Sequence, residues 1–337
     1  MALAEQFQRG IETIPGIHIY GGEKRVAAIV SCNLADLDSA YVSDCLAENY
    51  GIATRAGAHC APQIHTHFGT EKQGMVRFSF SCFNTTEEVE KAVRAMQDIA
   101  AENRGKVTAY VGAGGKTSSI RKRAETLRAE GKRVLILTTT KMMVPQEQEI
   151  FAAYEQTGQE SVISATASVW QERRAAEKQL KERVQSVLDT YGCCVAGSLI
   201  PDTEKFGMLP EKLMEDLLYL ADEILIEADG SAHMPVKAPA EHEPVLFPYM
   251  DEVVIVMGAH AIGKPLREVC HRADYAKKIL KCDADKIVTA TDIRVLAEQG
   301  YAIPIQKQFP WMKISKVTGK DIKLCLTAEK KDKERDK

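Results

Sequence analysis

The chain has 337 residues, room for about two domains with a full core in each. Its 45% hydrophobic and 27% charged residues are those of an ordinary globular protein, and a net charge of -3 gives no argument for nucleic acid or an anionic membrane as partner. No apolar run approaches the ~20 residues needed to span a bilayer, the N-terminus lacks a basic-apolar-small leader layout, and nine scattered cysteines without a C-x-x-C pair point to a reducing cytoplasm.

The first hundred residues read as alternating strands and helices of an α/β fold. Val26 to Ser31 is an apolar strand, and Leu37 to Tyr50 is helical with Asp38 and Ser39 placed to cap its start. Ile52 to Arg55 and Met75 to Phe80 follow as strands. Thr86 opens a helix with an apolar stripe at Val89, Val93, Met96 and Ala100, and Gly105 suits its C-terminal cap.

The chemistry of this half centres on Arg55-Ala-Gly-Ala-His-Cys60-Ala-Pro62 and Gly74-Met-Val-Arg77. A cysteine beside a histidine and two arginines has electropositive surroundings that favour thiolate, and an arginine fork suits a carboxylate. A small core hydrophobe is the ordinary alternative for a lone cysteine. His65 and His67 follow closely, at a spacing that raises a metal site as a lesser option. The run "GIATRAGAHCAP … GMVRFSFSCFNTTEEVEKAV" resembles the C-terminal lobe of class V aminotransferases, in particular the cysteine desulfurase family. That resemblance implies that Cys60 matches the persulfide-forming cysteine and that Arg55 and Arg77 match the positions holding the substrate carboxylate. It also places His65 and His67 on a short helix. Desulfurases hold pyridoxal phosphate through a Schiff-base lysine in a preceding large domain. The sequence starts after that domain, so desulfurase activity is expected only if a separate chain supplies the missing lobe.

The second half opens on Val107 to Val111 followed by Gly112-Ala-Gly114-Gly115-Lys116-Thr117-Ser118. Strand, glycine-rich turn, Lys-Thr and helix are the ingredients of a phosphate site: amides close around oxygens, the helix start adds partial positive charge, and lysine adds a full one. The Thr117 hydroxyl would ligate magnesium. Counting back from Gly115 puts Tyr110 where a G-x-x-x-x-G-K-[ST] loop has its first glycine, so this is a shortened loop. A glycine-rich turn that binds nothing is the alternative, and the adjacent Lys-Thr weighs against it.

A helix from Lys116 to Glu130 leads to a strand, Arg133 to Leu137, ending in Thr138, Thr139, Thr140 and Lys141. Hydroxyls and a lysine at that strand end lie on the ligand side of an open α/β sheet, and we expect phosphate or magnesium contact there. Residues 145–192 read as mostly helical, Cys193 to Ser198 as a buried strand, Leu213 to Leu220 as an amphipathic helix, and Glu223 to Glu227 as the next strand. It ends in Glu227-Ala-Asp229-Gly-Ser231. Asp229, and less firmly Glu227, is the candidate magnesium ligand; a plain Asp-Gly turn is the alternative.

Ser231 to Tyr249 then carries four prolines among charged residues, a stiff loop of the kind more often functional than idle. Lys237 would neutralise a phosphate, and His233 or His242 would serve proton transfer. A strand from Asp251 to Met257, a helix near Asp274 to Leu280 and a lysine-rich end from about Lys313 complete the chain, with a solvated tail after Ala328.

The ordered set "VGAGGKTS", "LTTTK", "EADGS", "KAPAEHEP", "GAHAIGKPL" and "HR" resembles the YqeC family of selenium-dependent hydroxylase accessory proteins. The resemblance implies an ATP- or GTP-binding α/β protein, with magnesium, that matures selenium-containing molybdenum hydroxylases. By matched position it makes Lys116 and Thr117 phosphate and magnesium contacts and Lys237 and Arg272 pocket residues. The expected organisation is a desulfurase-like lobe at 1–104, a nucleotide-binding domain at 105–312 and a charged tail at 313–337. Two other functions fit the same residues: a non-catalytic delivery or scaffold module, and a split pyridoxal-dependent desulfurase.

Overall fold

A computed structural model describes residues 1–21, 27–155 and 167–318. The chain forms two compact units: Met1–Gly105 with Pro210–Leu220, and Lys106–Leu209 with Ala221 onward.

In the first unit, helix α1 (Ala2–Ile11) precedes strands β1 (Ile17–Tyr20) and β2 (Ile29–Leu34), helices α2 (Ser39–Tyr50) and α3 (Pro62–Phe68), strand β3 (Val76–Ser79) and helix α4 (Thr86–Asn103). The three strands pair antiparallel in sequence order. Phe7 and Ile11 of α1, alternate residues of β2 and β3, and Val89, Met96 and Ile99 of α4 form one core, with the Phe7 and Phe78 rings 4.4 Å apart. The helical period of α4 is what points those three side chains to one side. Asp38 caps α2 by accepting from the Ala40 and Tyr41 amides, as its position predicts, while Ser39 is already helical.

Several expectations change in this unit. The strand placed at Val26 to Ser31 runs three residues later, and Val26 itself lies outside the described residues. Ile52 to Arg55 is not a strand, because only Arg55 pairs, in a single bridge to Arg77. Gly105 does not cap α4. The capping residue is Arg104 in extended conformation, and the Gly105 amide donates to the Leu218 carbonyl at 2.8 Å instead.

The second unit begins with β4 (Lys106–Gly112), α5 (Lys116–Ala129), β5 (Val134–Thr138), β6 (Met142–Met143) and β7 (Phe151–Tyr154). It continues through α6 (Ala167–Tyr191), β8 (Cys193–Leu199) and β9 (Lys205–Gly207). Helix α7 (Glu211–Leu217) returns to the first unit, where Glu215 accepts from the Gly16 amide and Asp216 lies 2.6 Å from His18. The chain then supplies β10 (Glu223–Glu227), β11 (Val236–Lys237), β12 (Glu252–Met257), α8 (Leu266–Val269), β13 (Cys270–His271) and α9 (Ala273–Leu280). A last helical run joins α10 (Ala290–Val295), a π-helical turn (Leu296–Ala302) and α11 (Ile303–Gln308), and leads to β14 (Lys313–Thr318).

The large sheet has the order β14-β12-β4-β10-β5-β8-β9-β6, with β7 beside β8. Its strands from β14 to β8 are all parallel. Burial on both faces explains the nearly continuous apolar runs of β4, β10 and β12. From β4 the chain builds toward β8 on one side, returns to insert β10 directly beside β4, and then crosses to β12 on the other side. In open sheets of this kind the carboxyl ends of the strands beside such a reversal are the usual place for a ligand.

Two expectations are corrected here. Residues 145–192 are not simply helical, since Phe151–Tyr154 is a strand paired with β8; 156–166 lie outside the described residues. The tail does not begin at 313, because Lys313–Thr318 forms the edge strand β14; the stretch after Ala328 lies outside the described residues.

Candidate functional site

Because β4 and β10 are neighbours in register, their carboxyl ends emerge together. The Ala228 amide donates to the Tyr110 carbonyl at 2.9 Å, which sets Glu227 and Asp229 beside Gly112 and the start of α5. Thr117 Oγ1 donates to Glu227 Oε2 at 2.8 Å. Lys116 is only 4% exposed and folds back, its Nζ donating to the Gly112 carbonyl at 2.8 Å and to Ser231 Oγ at 3.2 Å, with Glu227 Oε1 4.0 Å away.

Burial disfavours both charged forms. It holds the Lys116 ammonium below the usual lysine value, opposed by the nearby Glu227 and Asp229 carboxylates. Burial likewise pushes Glu227 above the usual carboxylate value, opposed by Lys116 and the Thr117 hydroxyl. An incoming anion would relieve the lysine, and a cation would relieve the glutamate.

The glycines of the loop divide by role. A Cβ on Gly112 would sit 2.2 Å from the Val256 carbonyl oxygen, and one on Gly114 2.3 Å from that of Pro235. Both have positive φ, so these two glycines admit close backbone neighbours. Gly115 has φ 128, and none of the described residues lies within 4 Å of a Cβ there, which leaves open space at the start of α5. There the amides of Lys116, Thr117 and Ser118 are the first-turn donors a helix leaves without intrahelical partners; Ser119 is the first to donate to a backbone oxygen, that of Gly115, at 2.9 Å.

Asp229 differs from an open metal ligand. It is fully buried, its Oδ2 accepting from the Gly112 amide at 3.1 Å and the Tyr301 hydroxyl at 2.7 Å, and its Oδ1 from Lys237 Nζ. Lys237 is also fully buried and pairs with Glu243 at 2.7 Å, whose other oxygen holds Arg272 at 2.9 Å. Asp229, Lys237, Glu243 and Arg272 therefore form a chain of alternating charge, the arrangement that makes buried charges tolerable. Lys237 is committed to carboxylates rather than free for a phosphate. Arg272, with left-handed backbone at φ 64 and a side chain 27% exposed, is the end that reaches solvent.

The threonine run knits strand ends together. Thr138 Oγ1 and the Thr139 amide both donate to the Glu227 carbonyl at 3.0 Å, Thr138 Oγ1 accepts from the Thr140 amide, and Thr139 Oγ1 donates to the Val245 carbonyl at 3.3 Å. Lys141 is exposed just before β6, outside this cluster. The structure thus brings Gly112, Gly114, Gly115, Lys116, Thr117, Glu227, Asp229, Lys237 and Arg272 together, while the Lys141 side chain is exposed. Tyr301 and the roles of Ser231 and Glu243 escaped the reading of the sequence. Ser231 and Glu243 sit in segments the motifs had flagged; Tyr301 lies 72 residues from Asp229, with no local pattern to mark it.

In the first unit, Arg55 and Arg77 exchange backbone hydrogen bonds of 3.2 and 2.8 Å in a single bridge between an extended loop and β3. Arg55 Nη2 donates to Cys60 Sγ at 3.7 Å, and His59 bonds the Arg55 carbonyl at 2.8 Å. Cys60 is exposed, with left-handed backbone at φ 60, on the turn leading into α3. Arg77 Nε is buried with no hydrogen-bond partner among the described residues. His65 is buried in α3 and bonded to Thr70 Oγ1 at 2.9 Å, which occupies one ring nitrogen. Among the described residues, no three His, Cys, Asp or Glu side chains are grouped to hold a metal ion, and no helix is long and apolar enough to cross a membrane.

Comparison with known proteins matches the two halves separately. The YqeC protein family matches residues 108–274, and aminotransferase class-V matches residues 1–92. The uncharacterized protein YqeC of Escherichia coli (strain K12) is 34% identical over 203 residues, covering 59% of this chain and 70% of that protein. A probable cysteine desulfurase of Methanothermobacter thermautotrophicus is 33% identical over 101 residues, which is 30% of this chain and 25% of that protein. The crystal structure of the Escherichia coli cysteine desulfurase CsdA aligns with 29% identity over 30% of this chain and 24% of that one, with a TM-score of 0.27. The chain therefore spans about a quarter of the length of these desulfurases. It carries a class V aminotransferase segment ahead of its second unit, and by that second unit it belongs to the YqeC family.

Proposed function

We propose that the second unit binds the phosphates of ATP or GTP with magnesium, and that it serves as an accessory in inserting selenium or sulfur into molybdenum hydroxylases. The observation that carries the nucleotide reading is the triad Lys116, Thr117 and Glu227: a lysine and a hydroxyl at a helix start, the hydroxyl bonded to a carboxylate at the end of the adjacent strand. Hard oxygen donors of this kind suit magnesium, which is commonly held by one or two side chains with phosphate oxygens and water completing its shell. In this reading Glu227 takes precedence over Asp229 as metal ligand, because Asp229 already accepts three donors and Glu227 faces Thr117. Phosphate arrival draws Lys116 off the Gly112 carbonyl, and the first-turn amides of α5 receive the oxygens.

The first unit favours the sulfur or selenium theme. An exposed cysteine held by the Arg55 guanidinium suits a sulfur or selenium cargo, and a lobe carrying pyridoxal phosphate, absent from this sequence, would supply the electron sink for releasing it from an amino acid. A non-catalytic delivery role uses the same surface, with Cys60 as carrier only.

A thermal shift tests the nucleotide reading. At about a hundredfold excess over the dissociation constant, magnesium ATP or GTP should raise the melting temperature of the full chain by about 5–10 °C. Thr117→Val should abolish the magnesium-dependent part of the shift. No shift with either nucleotide would remove the reading.

A further inference from the structure

Tyr301 lies in the π-helical turn Leu296–Ala302 that interrupts the last helical run. It is the largest fully buried side chain of the protein's described residues. π-Helical turns are rare, and they recur at functional sites. This one carries a phenol whose hydroxyl donates to Asp229 Oδ2 at 2.7 Å. The same oxygen accepts from the amide of Gly112, the first glycine of the phosphate loop, at 3.1 Å. Asp229 Oδ1 holds Lys237, and through Glu243 the chain ends at Arg272. The neighbouring Gly300 is packed against the stiff loop: a Cβ there would lie 3.2 Å from Pro239 Cδ.

Resting on the nucleotide reading above, we propose that Tyr301 is a positioning residue for the phosphate loop. Its hydroxyl fixes the Asp229 carboxylate, which in turn fixes the Gly112 amide on one side and the Lys237 ammonium on the other. The phenol touches no phosphate. It acts by holding the loop in the form that receives one. Without the hydroxyl, Oδ2 keeps only the Gly112 amide, and the constraint on Gly112 loosens even though the ring still fills its space. A tyrosine serving only to fill the core would be replaced by phenylalanine with little effect on the loop.

The test compares Tyr301→Phe with the unaltered full chain by two readouts: hydrogen exchange of the Gly112 amide, and affinity for magnesium ATP and GTP by calorimetry. The expected result is faster exchange at Gly112, with Ala109 to Val111 of β4 unchanged, and a dissociation constant raised about tenfold, the equivalent of one charge-assisted hydrogen bond. Tyr301→Leu, which removes hydroxyl and packing together, should lower the melting temperature further without weakening nucleotide binding beyond the phenylalanine variant. Unchanged affinity in Tyr301→Phe overturns the inference, whether or not exchange at Gly112 accelerates. If the unaltered protein binds neither nucleotide, the functional reading itself falls, an outcome distinct from binding that Tyr301→Phe leaves intact.

Discussion

At the residue scale the site is governed by what burial does to Lys116 and Glu227. A lysine held below its ordinary value of 10.5 binds phosphate in its charged form, so affinity must fall as pH rises through that depressed value, before 10.5 is reached. Glu227 lies on the other side: its folded value is above 4.5, so any stability it contributes is present below 4.5 and lost as pH rises through the folded value. Calorimetry with ATP from about pH 7 to pH 10 should show weakening on the alkaline side; a flat profile contradicts the assignment of Lys116. Lys237 invites a stability experiment. Lys237→Met leaves the buried Asp229 and the half-buried Glu243 without their shared cation and should cost about 3–5 kcal/mol in denaturant unfolding. A loss below about 1 kcal/mol would show that the charge chain is not needed. The loop and its Lys-Thr were legible in the sequence because the signal is contiguous. The preference for Glu227 over Asp229 was not, because it depends on Tyr301 and Lys237, which take Asp229's oxygens from elsewhere in the chain.

At the element scale, the adjacency of β4 and β10 assembles the site, and the 231–249 loop is tied to it through two anchors. Ser231 accepts from Lys116, and the Pro235 carbonyl accepts from the Gly258 amide at 2.7 Å while abutting Gly114. Gly114→Ala forces a Cβ against that carbonyl from a backbone of φ 76, and it should destabilise the chain and weaken nucleotide binding together. Gly115→Ala meets no neighbour and should be the milder change, bearing strain from its φ alone. Paired unfolding and binding measurements distinguish the two variants, and equal effects would contradict the division of roles. The strands β4, β5, β10 and β12 were readable from apolar runs. Their order was not, since inserting β10 between β4 and β5 is a long-range event with no local pattern. Strand β14 was missed because its Lys-Ile-Ser-Lys alternation is that of an edge, which reads like a tail.

At the scale of the whole molecule, two units of different family origin share one chain, and α7 from the second half of the sequence belongs to the first unit. The sequence could not show that assignment of α7, because it rests on Gly16 and His18, about two hundred residues away from Glu215 and Asp216. The proposed chemistry of the two units is separable. Cys60→Ala should leave magnesium nucleotide affinity unchanged while abolishing any persulfide carried by the protein, as read by thiol-specific labelling and mass spectrometry. A nucleotide affinity that falls with Cys60→Ala would contradict that separation.

The most direct measurement is calorimetric titration of the full chain and of Lys116→Ala with magnesium ATP and magnesium GTP. The unaltered protein should bind at least one nucleotide, and removal of the buried lysine should weaken that binding about ten- to a hundredfold. Equal affinity in the two proteins, or no binding by the unaltered one, would contradict this expectation.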